Sequence, residues 1–155
     1  MIYSRIKYGC TTYGLCTGKN LNRLQIIQNK LLKVLLKKSF RYSTNLLHKD
    51  LSLLQVGNII VQEILAFVFN YFKGNLPIVF NNFFQHRFTI EDILSGVSRL
   101  RIAVPKVHTE LGKNTIKFIG STLFNKYADQ FDLDIAIKSF KTKIKKLLVS
   151  QYSDS

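Results

Sequence analysis

Asn58–Phe72 reads NIIVQEILAFVFNYF, and its pattern decides the class of the fold. Ile59, Ile60, Val61, Ile64, Leu65, Phe67, Val68, Phe69, Tyr71 and Phe72 cover nearly the whole circumference of a helix. A helix apolar all round has no face for water, so it belongs in the middle of a bundle or against another domain. Gln62, Glu63 and Asn70 interrupt the run, and it is too short for a bilayer. The expectation is a buried helix. Gly74 suits its C-terminal cap, and Pro77 stops its continuation.

Upstream, Ser43 and Thr44 suit the start of a short helix through Leu46, Leu47 and Asp50. Before it, Leu21 to Lys38 is helical in pattern, with Asn20 as N-cap after the turn bounded by Gly14 and Gly18. Leu24, Ile27, Leu31, Val34 and Leu35 recur at three-and-four spacing, which predicts a buried stripe. Lys19, Arg23, Lys30, Lys33 and Lys37 fall within a sector of roughly 80° on another side, with Ile26 among them.

Downstream, Pro77 to Phe84 suits one more helical turn, and 85–98 reads as a long loop. The period then changes. Leu100, Ile102 and Val104 alternate with Arg99, Arg101 and Ala103, and Ile116 and Phe118 alternate with Thr115, Lys117 and Ile119. Leu111-Gly112-Lys113 lies between them, and the pattern predicts a β-hairpin, with Pro105 at an edge or a break. A helix from about Asp134 to Val149 closes the chain, with Ile137, Phe140, Ile144, Leu147 and Leu148 as its apolar stripe. The fold class is mainly α: a small helical bundle over 1–84, then an α+β module over 85–155 made of the hairpin and a C-terminal amphipathic helix.

Charge is the second decisive property. The 155 residues carry 23 Lys and Arg against 9 Asp and Glu, a net +14. Met1 to Lys49 contains no carboxylate, yet holds Arg5, Lys7, Lys19, Arg23, Lys30, Lys33, Lys37, Lys38, Arg41 and Lys49. No local acid neutralises that segment, so the counter-charge comes from outside, and nucleic acid is the commonest cellular polyanion. Tyr3, Tyr8 and Tyr13 lie among the first cations, and Phe40 and Tyr42 flank Arg41, a mixture suited to stacking. The expected phosphate contacts are Lys19, Arg23, Lys30, Lys33, Lys37 and Arg41. The C-terminal lysines 138, 141 and 145 read instead as a solvated face, because Asp129, Asp132 and Asp134 lie close in sequence.

Catalytic signatures are missing from the sequence. It contains no Walker loop, no Gly-x-Ser-x-Gly, no His-Glu-x-x-His and no dinucleotide fingerprint. Tyr127-Ala128-Asp129-Gln130 looks like a polymerase Tyr/Phe-x-Asp-Asp box, but Gln130 replaces the second carboxylate that a two-metal mechanism requires. Cys10 and Cys16 lack the spacing of a zinc pair, and their pairing stays open. No cofactor, small-molecule substrate or membrane partner is expected. The opening Met-Ile-Tyr-Ser-Arg is not a signal core, which points to an intracellular protein, cytoplasmic or nuclear.

Five ordered segments carry a family resemblance. Tyr3 to Gly9 looks like a short helix ending in Tyr-Gly, and LNRLQIIQNKLLKVLL (21–36) resembles Leu-x-x-Leu-x-x-x-Gln-(Arg/Lys)-(Arg/Lys)-hydrophobic. FNYFKGNLPIVFNNFF (69–84) is similar to Tyr-Lys-Tyr-x-x-x-x-Leu-Pro-x-x-Phe. GKNTIKFIGSTLFNKYADQF (112–131) resembles Gly-x-x-x-hydrophobic-Arg-Tyr-x-Gly-Pro-x-hydrophobic-Trp-Asn-x-Leu-Pro, and Ser139-Phe140-Lys141 opens a helix like the closing one. Together, from Ile2 to Gln151, they resemble the region just after the palm of reverse transcriptases from non-LTR, jockey-like LINE-type retrotransposons. Departures are Ser121 for Pro, Phe124 for Trp, and Tyr127-Ala128 for Leu-Pro. The resemblance implies a helical thumb and a small C-terminal module that grip an RNA or DNA template-primer beside a palm domain. The Mg²⁺-binding aspartates of the parent polymerase lie upstream, so the fragment is not an enzyme alone. The alternative is a structural or protein-interaction buttress that docks through Asn58–Phe72.

Overall fold

A helix that is apolar all round offers neighbours a surface on every side. The computed structural model describes residue 9 and residues 18–85, 101–128 and 134–153. Among them run α1 (Gly18–Leu35), α2 (Thr44–Asp50), α3 (Val56–Phe72), a 3₁₀ turn (Ile78–Phe80), α4 (Glu110–Lys113), α5 (Ile116–Lys126), α6 (Ile137–Ser150) and a 3₁₀ turn (Gln151–Ser153). The described residues are mainly helical. Helix α3 buries Ile59, Ile60, Ile64, Leu65, Val68 and Phe69 of its predicted apolar set, leaves Val61, Phe67, Tyr71 and Phe72 half-buried, and also buries Val56, Gln62 and Ala66. The chain divides into two compact units, residues 1–63 with 141–155, and residues 64–140.

Three helices stop in the same way. After α3, Gly74 takes φ +68°, with Asn75 N–H donating to Asn70 O (3.0 Å) and Gly74 N–H to Tyr71 O (3.1 Å). That is a Schellman cap built on the expected glycine. After α1 the same pair of bonds forms around Lys37 (φ 51°), and after α2 around Ser52 (φ 49°). Both residues occupy left-handed backbone that a Cβ disfavours.

In the unit 64–140, Val68, Phe84, Ile102 and Phe124 form a buried cluster, with Phe67, Tyr71, Phe72 and Phe83 packed against it. Phe69 stacks on Phe140 at 4.5 Å between centroids. Helix α5 approaches this cluster through Gly120. A Cβ there would lie 3.2 Å from Phe84 Cζ and 3.3 Å from Val68 Cγ2, tight contacts that would push these side chains back by a few tenths of an ångström.

The predicted hairpin is not formed. No strand occurs among the described residues, and Ile102 makes a single bridge. Residues 115–119, read as a strand, begin α5: the Thr115 side chain caps the helix by accepting from Phe118 N–H. Alternation over five residues was outweighed by helical spacing over eleven, at Ile116, Gly120, Phe124 and Tyr127. Leu111-Gly112-Lys113, read as a turn, lies in α4, capped by Thr109. Around Ile102 the chain is held by backbone and side chain together: Ala103 N–H donates to Gln85 O (2.8 Å), and Asn125 brackets Ile102. Asn125 Oδ1 accepts from Ile102 N–H (2.9 Å) and Asn125 Nδ2 donates to Ile102 O (2.8 Å), a two-bond mimic of a ladder rung. Leu100 and most of the predicted loop 85–98 lie outside the described residues, as do residues 1–8 and 10–17 with Cys10, Cys16, Tyr3, Tyr8 and Tyr13.

Two stability measurements test this description. Replacing Lys37 or Ser52 with Gly relieves a left-handed Cβ and raises unfolding free energy by about 0.5–1 kcal/mol each in denaturant titrations. Asn125→Ala removes both bonds to the Ile102 backbone and lowers stability by about 2 kcal/mol, more than Asn125→Asp, which retains the acceptor.

Candidate nucleic-acid interface

The unit formed by 1–63 and 141–155 holds every cation expected to meet phosphate. Its geometry follows from how α3 begins. Gln55 precedes Val56 where a Ser, Thr, Asp or Asn cap would be favoured, so the first N–H groups of α3 need partners from elsewhere. Val56 N–H donates to Gln25 Oε1 of α1 (2.7 Å), and Gln55 N–H donates to the Tyr152 hydroxyl of the C-terminal turn (2.9 Å). Asn58 Nδ2 donates to the same hydroxyl (2.9 Å), and Gln28 Nε2 donates to Leu54 O (2.9 Å).

These bonds determine which face of α1 is inside. Gln25, Gln28 and Asn29 share one side, at spacings of three and four. Gln25 Nε2 donates to Asn29 Oδ1 (2.8 Å) and to Gln28 Oε1 (3.1 Å), and Gln28 is buried. Most of the predicted apolar stripe is therefore turned outward, with Leu24 alone half-buried. Ile27 is 53% exposed, Val34 66% and Leu35 67%, against 5% for Gln28. Periodicity located the stripe correctly and assigned it the wrong environment, because the backbone groups at 54–56 claim the amide face.

His48 completes the seam. The ring is fully buried, with Nδ1 3.2 Å from Leu53 O and Nε2 2.9 Å from Asn29 Oδ1. Burial pushes its pKa below the ordinary histidine value, and the bond to the Leu53 carbonyl opposes that shift.

Each predicted cation can now be placed. Lys19, Arg23 and Lys30 are exposed on one side of α1, and Lys37 and Arg41 are exposed in the segment after it. Lys33 leaves the row. It is buried, and its ammonium donates to Phe40 O (2.7 Å), tying the chain after the Lys37 cap back to the helix. Lys38 lies over the Tyr42 ring at 5.0 Å, and Phe40 is 76% exposed.

A second cationic feature escaped the sequence reading. Lys49, Lys145 and Lys146 line an open groove of about 500 Å³ with Ser52, Thr142 and Ser150. Lys49 precedes Lys145 by most of the chain, so only the fold brings them together. The nearest signal in the sequence was the lysine-rich α6, whose Lys141 is instead paired with Glu63 at 2.9 Å. Of the acidic cluster 129–134, only Asp134 lies within the described residues, and it is exposed. Among the described residues, no three His, Cys, Asp or Glu side chains group in a way that could hold a metal ion. Also among them, no helix is long and apolar enough to cross a membrane.

Comparison of the chain with protein-family models, curated proteins and solved structures finds no match.

The seam has a pH signature. The folded state holds His48 neutral to a lower pH than the unfolded chain does, so the unfolded state binds the extra proton first. Its contribution to stability is complete above the ordinary histidine pKa of about 6.5 and is lost as pH falls from there through the lowered folded-state pKa. Unfolding free energy measured from pH 7.5 to 5.5 should fall in the wild type, with a shallower slope in His48→Gln.

Proposed function

We propose that this chain is a nucleic-acid-binding fragment of an RNA-directed DNA polymerase, the thumb and post-thumb part of a LINE-type reverse transcriptase. It grips template-primer through backbone phosphates and carries no polymerase chemistry of its own. The observation that carries the reading is the acid-free, exposed cationic row Lys19, Arg23 and Lys30 on α1, continued by Lys37 and Arg41. Lysines and arginines on a rigid helix neutralise phosphates without reading bases. The groove of Lys49, Lys145 and Lys146 adds a second cluster to the same unit.

The family assignment rests on the resemblance of five ordered segments, and positions within its most specific block have physical jobs. Gly120 allows close helix approach, Phe124 is fully buried, and Asn125 holds Ile102. Serine replaces the family's proline at Ser121 inside α5, where its hydroxyl donates to Lys117 O at 2.7 Å.

The test is binding to a short RNA–DNA hybrid across a salt series. With the five exposed cations engaged, the log–log slope is about −4 to −5. Lys30→Gln reduces the slope by about one, equally for all sequences. Lys33→Gln leaves it unchanged while lowering stability, because that ammonium is committed to Phe40 O. A slope near zero removes the proposed grip.

A further inference from the structure

The outward face of α1 is not only cationic. Ile27, Leu31, Val34 and Leu35 form an exposed aliphatic row beside Lys19, Arg23 and Lys30, and Ile26, 52% exposed, sits among those cations. A phosphate backbone offers these side chains no apolar cover, so the row is surplus to the grip proposed above. We propose that this face is a docking site for an acidic amphipathic helix of another protein. The partner's apolar stripe would lie on Ile27, Leu31 and Val34, and its carboxylates would meet Lys19, Arg23 and Lys30.

Charge selects this occupant. A second copy of the chain would bring the same acid-free cations against each other, and like charges facing across an interface repel. An anionic membrane would accept a helix with cations on both flanks of its apolar sector. On α1 they lie on one flank only, since the other is closed by the buried Gln28. A one-sided cationic border beside an aliphatic row fits a ligand helix that is apolar on one face and acidic along one edge.

The experiment uses the whole chain and a designed amphipathic peptide of about five turns, with leucines at helical spacing and glutamates along one edge, read by fluorescence anisotropy. Micromolar binding is expected. The double substitution Ile27→Ser with Val34→Ser should weaken the peptide about tenfold or more, leaving hybrid-duplex affinity unchanged. Circular dichroism and thermal melting of this variant should match the wild type, because both side chains are exposed. Peptide and duplex should compete, since they share Lys19, Arg23 and Lys30. Equal binding by a peptide with lysines in place of the glutamates overturns the inference. So does a double variant that folds and binds the peptide undiminished. Tighter binding to vesicles of anionic phospholipid than to the peptide, or self-association at the same concentrations, also overturns it. Failure of the duplex to bind bears on the grip alone, because peptide affinity is read separately.

Discussion

The start of α3 is the constraint on which the first unit depends. A long apolar helix must bury its flanks, and its first N–H groups have no partner within the helix. Here no local side chain supplies one. Gln25 from α1 and Tyr152 from the far end of the chain accept from Val56 N–H and Gln55 N–H instead. Each bond spans a long stretch of sequence, so capping one helix also fixes where α1 and the C-terminal turn sit. Gln28 on Leu54 O and His48 between Leu53 O and Asn29 extend the same seam. Buried polar groups are costly unless paired, and no buried side-chain nitrogen or oxygen among the described residues lacks a partner.

The seam has a consequence at the surface. One face of α1 is committed to amides, so its aliphatic row and most of its cations share the opposite side. Lys33 is the exception: it is drawn in by the carbonyl of Phe40, which leaves Lys19, Arg23 and Lys30 as the exposed row. Electrostatics toward an outside partner is thus set by the neutral amide bonds of the seam together with the one bond that withdraws the Lys33 ammonium. The other unit solves a different problem by close approach, with Gly120 letting α5 reach the aromatic cluster and Asn125 bonding both backbone groups of Ile102.

Elements with long, consistent periodicity were legible in the sequence. The all-round apolar pattern of α3 predicted its burial, Gly74 predicted its cap, and Phe140, Ile144 and Leu148 predicted the buried side of α6. Short windows misled. Thr115–Ile119 alternates over one pleat's length, and the N-cap role of Thr115 was visible only in the longer helical frame. The orientation of α1 was illegible for a deeper reason. Apolar periodicity says which side chains share a face, whereas the direction that face turns depended on unpaired backbone groups at 54–56. The groove of Lys49 with Lys145 and Lys146 was hidden likewise, being a product of long-range contact alone.

The outward turn of α1 is tested most directly by one paired comparison of stability. Gln28→Leu and Val34→Ser should be unfolded side by side in urea at neutral pH. If the amide face is inside, Gln28→Leu strands the Leu54 carbonyl and costs about 1–3 kcal/mol, while Val34→Ser stays within about 0.5 kcal/mol of wild type. The reverse result, a tolerated leucine at 28 and a costly serine at 34, would mean that the aliphatic row is buried and that the exposed face described here does not exist.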